Sequence, residues 1–209
     1  MLKTQRRCGR QAGATRGFTL IELMVTISLL AILVMLAVPA FTAWIRNAQI
    51  RTAAEALQGG MRTAQAEALR RNRQVVMAFT NATPASGTTA VVNGKNWTLQ
   101  TVAGLGDASS EYISGGSIAE TNSAVTLDTS GVTAICFNAS GRLVANTSPG
   151  VTSASCTAAA LAFNVDVAPS GTNRALRVVL QLGGQVRMCD PKRPTLSATA
   201  PDGCPSSPT

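Results

Sequence analysis

The chain has 209 residues, 45% hydrophobic and 13% charged, with a formal net charge of +8 and no histidine. Without histidine the chain lacks the commonest general base and the commonest metal ligand, so we expect no enzymatic activity, no metal and no other cofactor. The aromatic content of 4% leaves few side chains on which the bases of single-stranded nucleic acid could stack.

The chain opens with a basic segment, residues 1–17, and continues with an apolar run from Phe18 to Ala43. Glu22 is the only charged side chain in that run. About 20 apolar residues suffice to cross a bilayer, and a basic flank favours the cytoplasmic side. We therefore expect a single-pass membrane protein whose remaining domain lies outside the cytoplasm. Removal of residues 1–17 would leave 13 basic and 10 acidic residues, a net charge of +3.

Glu22 requires a partner, because a lone carboxylate in hydrocarbon costs about 3 kcal/mol. Cleavage after Gly17 would create an α-ammonium group on Phe18, one helical turn before Glu22 and on the same face. The ammonium group of the same or of a neighbouring subunit could then neutralise the carboxylate and promote assembly. A secretory signal has a shorter apolar core of about 7–15 residues, and neither it nor a plain membrane anchor explains Gly17 together with Glu22.

Residues 16–22, RGFTLIE, resemble the class III signal of type IV prepilins and type II secretion pseudopilins. The resemblance implies that prepilin peptidase cleaves between Gly17 and Phe18 and methylates the Phe18 amine, and that Glu22 serves assembly. Residues 51–76 are similar to the GspH/FimT branch of minor pilins and pseudopilins. The implied partners are other pilins or pseudopilins, prepilin peptidase, the inner-membrane assembly platform and the lipid bilayer. The implied location is the bacterial inner membrane, with the C-terminal domain periplasmic, and the pilus or pseudopilus after assembly.

The predicted fold is α+β and pilin-like, with one long N-terminal helix packed on an antiparallel β-sheet domain. The helix comprises a transmembrane and assembly half, residues 18–44, and an amphipathic continuation, residues 45–73. Pro39 should kink it, and Gly59-Gly60 should weaken it. Periodicity predicts one buried apolar face, formed by Ile50, Ala54, Leu57, Met61, Ala64 and Ala68. On the solvated side, i,i+4 ion pairs are expected: Arg51 with Glu55, and Glu67 with Arg71.

Residues 74–209 are predicted to form a β-rich globular domain with surface loops at 103–123 and 145–159. Turns are expected at Asn138–Gly141 and, as a tight two-residue turn, at Gly183-Gly184. The tail from Pro191 would be held mainly by Cys204. The predicted strands are Gln74–Phe79, Thr89–Val92, Trp97–Val102, Ala124–Leu127, Val132–Phe137, Arg142–Ala145, Arg174–Leu182 and Gln185–Cys189.

Five cysteines are present, and Cys8 lies in the segment to be removed. An even number remains for a domain in an oxidising compartment, where disulfides are expected. Four cysteines allow three pairings. We favour Cys136 with Cys156 and Cys189 with Cys204, because each pair closes a loop of modest length beside turn residues.

Basic residues concentrate near the C-terminus, where they could contact the phosphates of DNA. Some FimT-like minor pilins are implicated in DNA capture through a Gly-Arg-x-Arg pattern. The corresponding residues here are Gly184-Gln185-Val186-Arg187, so only the second arginine is matched. Arg187, Lys192 and Arg193 are the candidate DNA contacts, although basic residues on alternating strand positions more often form a solvated face.

Three functions follow from the sequence. A minor type IV pilus subunit would be needed for surface filaments, a type II secretion pseudopilin for export of secreted enzymes, and a DNA receptor for natural transformation. All share the same helix and domain plan. The disulfides and the proline-rich tail favour the pilus.

Overall fold

The structure is a computed structural model that describes residues 17–104, 109–119, 124–168, 173–193, 195, 197 and 199–205. The predicted leader lies outside the described residues except for Gly17, and Cys8 does so too. The chain divides into two compact units, Met1–Thr42 and Ala43–Thr209.

Helix α1 extends over Leu20–Arg71. It begins two residues later than predicted, because Thr19 caps it: the Thr19 hydroxyl accepts a hydrogen bond from the amide of Glu22 at 3.3 Å. The residue that follows its last position, Asn72, has a left-handed backbone conformation with φ 50°, which is a common way for a helix to end. Pro39 lies inside the helix, and the kink expected there stays a prediction.

The predicted apolar face of α1 is confirmed by burial. Its six predicted residues all have 0% exposure, and Ala53 and Gly60 are buried beside them. This face packs against the inner surfaces of two antiparallel sheets and forms the main core with them. Phe79 and Phe163 bring the two sheets together, with their ring centroids 5.6 Å apart.

The two sheets have four strands each among the described residues. The first has the order β3-β2-β1-β5 and the second the order β4-β6-β7-β8. The strands are β1 Val75–Thr80, β2 Asn96–Thr101, β3 Tyr112–Ser117, β4 Val125–Asp128, β5 Ala134–Phe137, β6 Leu161–Val167, β7 Leu176–Leu180 and β8 Val186–Cys189.

Six of the predicted strands are confirmed, and the sequence analysis missed β3 and β6. Strand β3 lies inside the predicted loop 103–123, whose residues 105–108 and 120–123 are outside the described residues. Its two glycines disfavour a strand on propensity, but Gly116 is required because a Cβ there would lie 2.7 Å from the Trp97 ring. Strand β6 alternates buried and half-buried residues as a period of two predicts.

Two predicted strands are wrong. Residues 89–92 form no strand, since their amides donate to two different segments: Ala90 to the Thr152 carbonyl and Val91 to the Phe79 carbonyl. Residues 142–145 form only an isolated bridge through Leu143. The turn at Gly183-Gly184 is also longer than expected. The Gln181 amide donates to the Gln185 carbonyl, so the turn contains three residues, 182–184.

Two disulfides hold segments against the outer faces of the sheets, with the pairing that the sequence analysis favours. Cys136 on β5 is bonded to Cys156, within a small apolar cluster on the outer face of the first sheet. Cys189 on β8 is bonded to Cys204 and packs with Val179 on the second sheet. Both faces of β1 are consequently buried.

Candidate functional site

The predicted processing site, Gly17-Phe18, lies just before α1. Phe18 is 79% exposed, and a Cβ built on Gly17 would meet nothing within 4 Å. Packing within this chain therefore does not require glycine at position 17. Phe18 precedes the capping residue, so in the uncleaved chain the helical i,i+4 geometry expected for Phe18 and Glu22 does not apply.

Glu22 occupies the third position of α1, and Thr19-Leu20-Ile21-Glu22 has the spacing of a capping box. The amide of Glu22 donates to the Thr19 hydroxyl, and the amide of Leu23 donates to the Thr19 carbonyl at 3.1 Å. A carboxylate in the first turn also interacts favourably with the helix dipole. Glu22 is exposed, so its carboxylate remains available to an external cation.

The N-terminal half of α1 exposes its apolar side chains. Each large apolar residue from Phe18 to Phe41 that the structure records as exposed has at least 50% of its surface accessible. Within the described residues, α1 is the one helix long and apolar enough to cross a membrane, with a mean hydropathy of 2.6 over 18 residues, none of them buried. Such a surface is compatible with lipid or with other apolar helices and not with water.

An ionic network connects the C-terminal half of α1 to the residues before β3. Glu67 accepts from Arg70 at 2.6 Å and from Arg71 at 2.8 Å, and Arg71 also reaches Glu111 at 2.8 Å. Hydrogen bonds from Arg70 and then Arg71 lower the pKa of Glu67 from 4.5 to about 2. The predicted pairs are confirmed, Glu67–Arg71 here and Arg51–Glu55 at 2.9 Å.

The tail after β8 is held by more than the disulfide that the sequence analysis assigned to it. Nε of Arg174 lies 2.7 Å from Asp190 and its Nη2 lies 3.2 Å from Asp202. Burial raises the pKa of Asp190, but the hydrogen bonds from Arg174 and from the Lys192 amide outweigh it, so the pKa is lowered overall. The amide of Arg174 also donates to Asn47 on α1 at 2.9 Å, which joins the tail to the helix.

The three candidate DNA contacts differ in their surroundings. Arg187 is exposed on β8 and forms no ion pair within the described part of the chain. The ammonium group of Lys192 donates to the Asn173 carbonyl at 2.8 Å, and Arg193 lies 3.4 Å from Asp202. Only Arg187 thus presents a guanidinium group without a carboxylate beside it.

The structure places a further basic residue, Arg142, next to the segment Gly184–Arg187. The sequence analysis did not identify this residue as a candidate DNA contact. It follows Gly141, which contacts Gly184 through its carbonyl oxygen, and the Gln65 amide donates to the same Gly141 carbonyl at 2.8 Å. The Leu143 amide donates to the Leu182 carbonyl at 3.0 Å. The exposed side chain of Arg142 therefore lies at the turn that precedes Arg187, although the two residues are distant in sequence.

An exposed apolar helix with one carboxylate in its first turn, continued by an amphipathic half packed on antiparallel sheets, defines a pilin-like structural subunit. The profile of the prokaryotic N-terminal methylation motif matches residues 13–38, and that of the type II transport protein GspH matches residues 53–189. The chain belongs to the GspH family, and it is a minor pilin or pseudopilin.

Similar proteins of known structure include two from different bacteria. The type IV minor pilin FimU of Pseudomonas aeruginosa PAO1 is 17% identical, with 74% of this chain and 94% of that chain covered and a TM-score of 0.48. The minor pseudopilin EpsH from the type 2 secretion system of Vibrio cholerae is 12% identical, with 69% and 99% covered and a TM-score of 0.46. No curated protein matches the chain.

Proposed function

We propose that this chain is a structural minor subunit of a type IV pilus or a type II secretion pseudopilus, which acts by assembly and not by catalysis. The observation that supports this most directly is the exposed apolar surface of α1 between Phe18 and Phe41. In water that surface would be strongly unfavourable, at about 25 cal/mol per Å². It is covered by lipid before assembly and by the helices of neighbouring subunits afterwards.

The domain plan of the proposal has four parts. Residues 1–17 are a leader that prepilin peptidase removes, and residues 18–44 are the membrane and assembly helix. Residues 45–73 continue that helix beneath the sheets, and residues 74–209 form the β-rich domain on the periplasmic side of the inner membrane. The inner-membrane assembly platform then incorporates the processed subunit.

Glu22 provides the electrostatic step of assembly. Cleavage after Gly17 leaves Phe18 with a methylated ammonium group close to the start of α1, where Thr19 already caps the helix. Its charge offsets that of Glu22 of the same or of a neighbouring subunit, so that neither remains unpaired in an apolar environment.

Mass spectrometry of the membrane-bound protein tests the processing step. We expect a chain that begins with N-methylated Phe18, and a Gly17→Val variant that keeps its leader. A Cβ at position 17 would meet nothing within 4 Å, so a clash within this chain would not explain the loss of processing. A wild-type protein that still begins at Met1 would refute the proposal.

Incorporation into sheared filaments tests the assembly step. Glu22→Gln should be processed but excluded from filaments, because the ammonium group of Phe18 then lacks its counter-charge. Glu55→Gln is the matched control, since Glu55 is an exposed helical carboxylate paired with Arg51. Equal incorporation of both variants would argue against the role of Glu22.

DNA binding is a second candidate function, and the position of Arg142 favours it. The sequence analysis leaves Arg187 as the only match to the Gly-Arg-x-Arg pattern, but Arg142 adds a second exposed guanidinium group at the neighbouring turn. Each phosphate contact contributes to affinity and makes it dependent on salt.

Retardation of duplex DNA by the full chain in detergent tests this candidate. We expect Arg142→Gln and Arg187→Gln each to weaken retardation and to reduce its salt dependence, and Arg193→Gln, whose guanidinium group already pairs with Asp202, to have a smaller effect. No retardation by the wild type would exclude DNA binding.

A further inference from the structure

A groove of about 460 Å³ lies between residues 44–51 of α1 and the end of β8. Its apolar lining includes Leu176 and Met188, which pack against the main core. Its rim carries charges of both signs, and Trp44, which is 65% exposed, stands at one side. The groove lies entirely within the second compact unit.

The charged rim is balanced. The groove is lined by Arg51 and Arg174 on the cationic side and by Asp190 and Asp202 on the anionic side. Asp190 is only 5% exposed and pairs with Arg174, whereas the side chain of Asp202 is 44% exposed and pairs with both Arg174 and Arg193. Arg51, with 74% of its side chain exposed, pairs with Glu55 on the same helix. A ligand with both a cation and an anion fits these charges better than a simple anion does.

The groove lies close to the end of the apolar run. Ala43 ends that run and Trp44 follows it directly, and Asn47, another lining residue, is about 6 Å further along the helix at 1.5 Å per residue. The headgroup region of a bilayer is about 5–8 Å thick on each side. Tryptophan is enriched at this depth, and arginine side chains extend towards it.

We propose that the groove binds the headgroup of a zwitterionic phospholipid of the phosphatidylethanolamine class. Arg51 and Arg174 face the phosphate, and Asp202 accepts hydrogen bonds from the primary ammonium group. A choline headgroup has no N–H to donate, and a glycerol headgroup brings a net negative charge to a balanced rim. The inference rests on the membrane anchoring in the proposed function and goes beyond it, since it assigns a lipid-specific site to the periplasmic domain.

Native mass spectrometry of the full chain, released from detergent with equal amounts of phosphatidylethanolamine and phosphatidylglycerol, tests the assignment. We expect phosphatidylethanolamine to be retained about tenfold more, the value of one hydrogen bond to a charged group. Asp202→Asn should remove that preference, whereas Arg51→Gln should weaken the retention of both lipids, because both carry the phosphate that Arg51 faces. Arg62→Gln and Asp128→Asn are matched controls, because both residues are exposed and neither lines the groove.

Two further measurements separate the alternatives. Inorganic phosphate should not displace the lipid; if it does so as effectively as glycerophosphoethanolamine, the groove is an anion site and the lipid assignment is wrong. Equal retention of both lipids, or unchanged retention in the groove variants, would also overturn the lipid assignment. The groove would then be a contact surface for a neighbouring protein. Flotation of the full chain with vesicles tests the anchoring itself, so a chain that floats without lipid preference refutes only this inference.

Discussion

Gly59 and Gly60 are neighbours in α1 with different surroundings, so alanine should have different effects at the two positions. A Cβ on Gly59 would meet nothing within 4 Å. A Cβ on Gly60 would lie 2.9 Å from Cε2 of Trp97 and 3.1 Å from Cε of Met77. The first contact is shorter than a van der Waals contact, and it involves a rigid ring that packs in the core.

The magnitudes follow from two opposing terms. Replacing glycine by alanine in a helix interior gains about 1 kcal/mol of stability. At Gly59 that gain stands alone, whereas at Gly60 overpacking costs about 1–3 kcal/mol. We therefore expect Gly59→Ala to be stabilised by about 1 kcal/mol, and Gly60→Ala to range from neutral to about 2 kcal/mol less stable than the wild type.

Thermal unfolding of the full chain in detergent measures the difference, with Gly59→Ala as the matched control for Gly60→Ala. One kcal/mol corresponds to about 2–4 °C in Tm for a protein of this size. Gly59→Ala should therefore melt about 2–4 °C higher than the wild type, and Gly60→Ala at least that much below Gly59→Ala. Equal shifts for the two variants would show that Trp97 does not press on Gly60 and would refute the packing argument.

Three further predictions concern other contacts. The pKa of Glu67 is lowered from 4.5 to about 2, so the ionised carboxylate stabilises the folded state above pH 4.5, and this stabilisation is lost as the pH falls towards 2. The free energy of unfolding of Glu67→Gln should therefore depend less on acid pH than that of Glu55→Gln. The difference should be about 1 kcal/mol, as for an ion pair near the surface. The Cys189→Ser, Cys204→Ser double variant should lose about 3 kcal/mol of unfolding free energy in denaturant, since it frees a loop of about 15 residues; an unchanged midpoint would mean that the tail's ion pairs suffice. Gly184→Ala should lower the Tm, because Gly184 has a φ of 87° and its Cβ would meet the neighbouring turn; a Tm equal to that of the wild type would contradict this.

The features that could be predicted from the sequence are local ones. The processing segment, Glu22 and the apolar run are read from a single stretch of chain, and the buried face of α1 follows from a 3.6-residue period that any partner surface would satisfy. The disulfide pairing was also favoured from the sequence, because each bond closes a short segment beside turns.

The missed and misplaced features depend on residues that are far apart in sequence. Strand β3 has glycine at position 116 because the Trp97 ring occupies the space that a Cβ would need, and no local pattern contains that fact. Arg174 meets Asn47 across 127 positions, and the groove at Trp44 is formed by α1 together with residues 174–202, which are distant in sequence. The sequence by itself determined which face of α1 is buried and predicted which segment is processed and inserted, since hydrophobicity and helical period act locally. Only the tertiary structure decided which charged side chains meet, because long-range strand pairing brings them together.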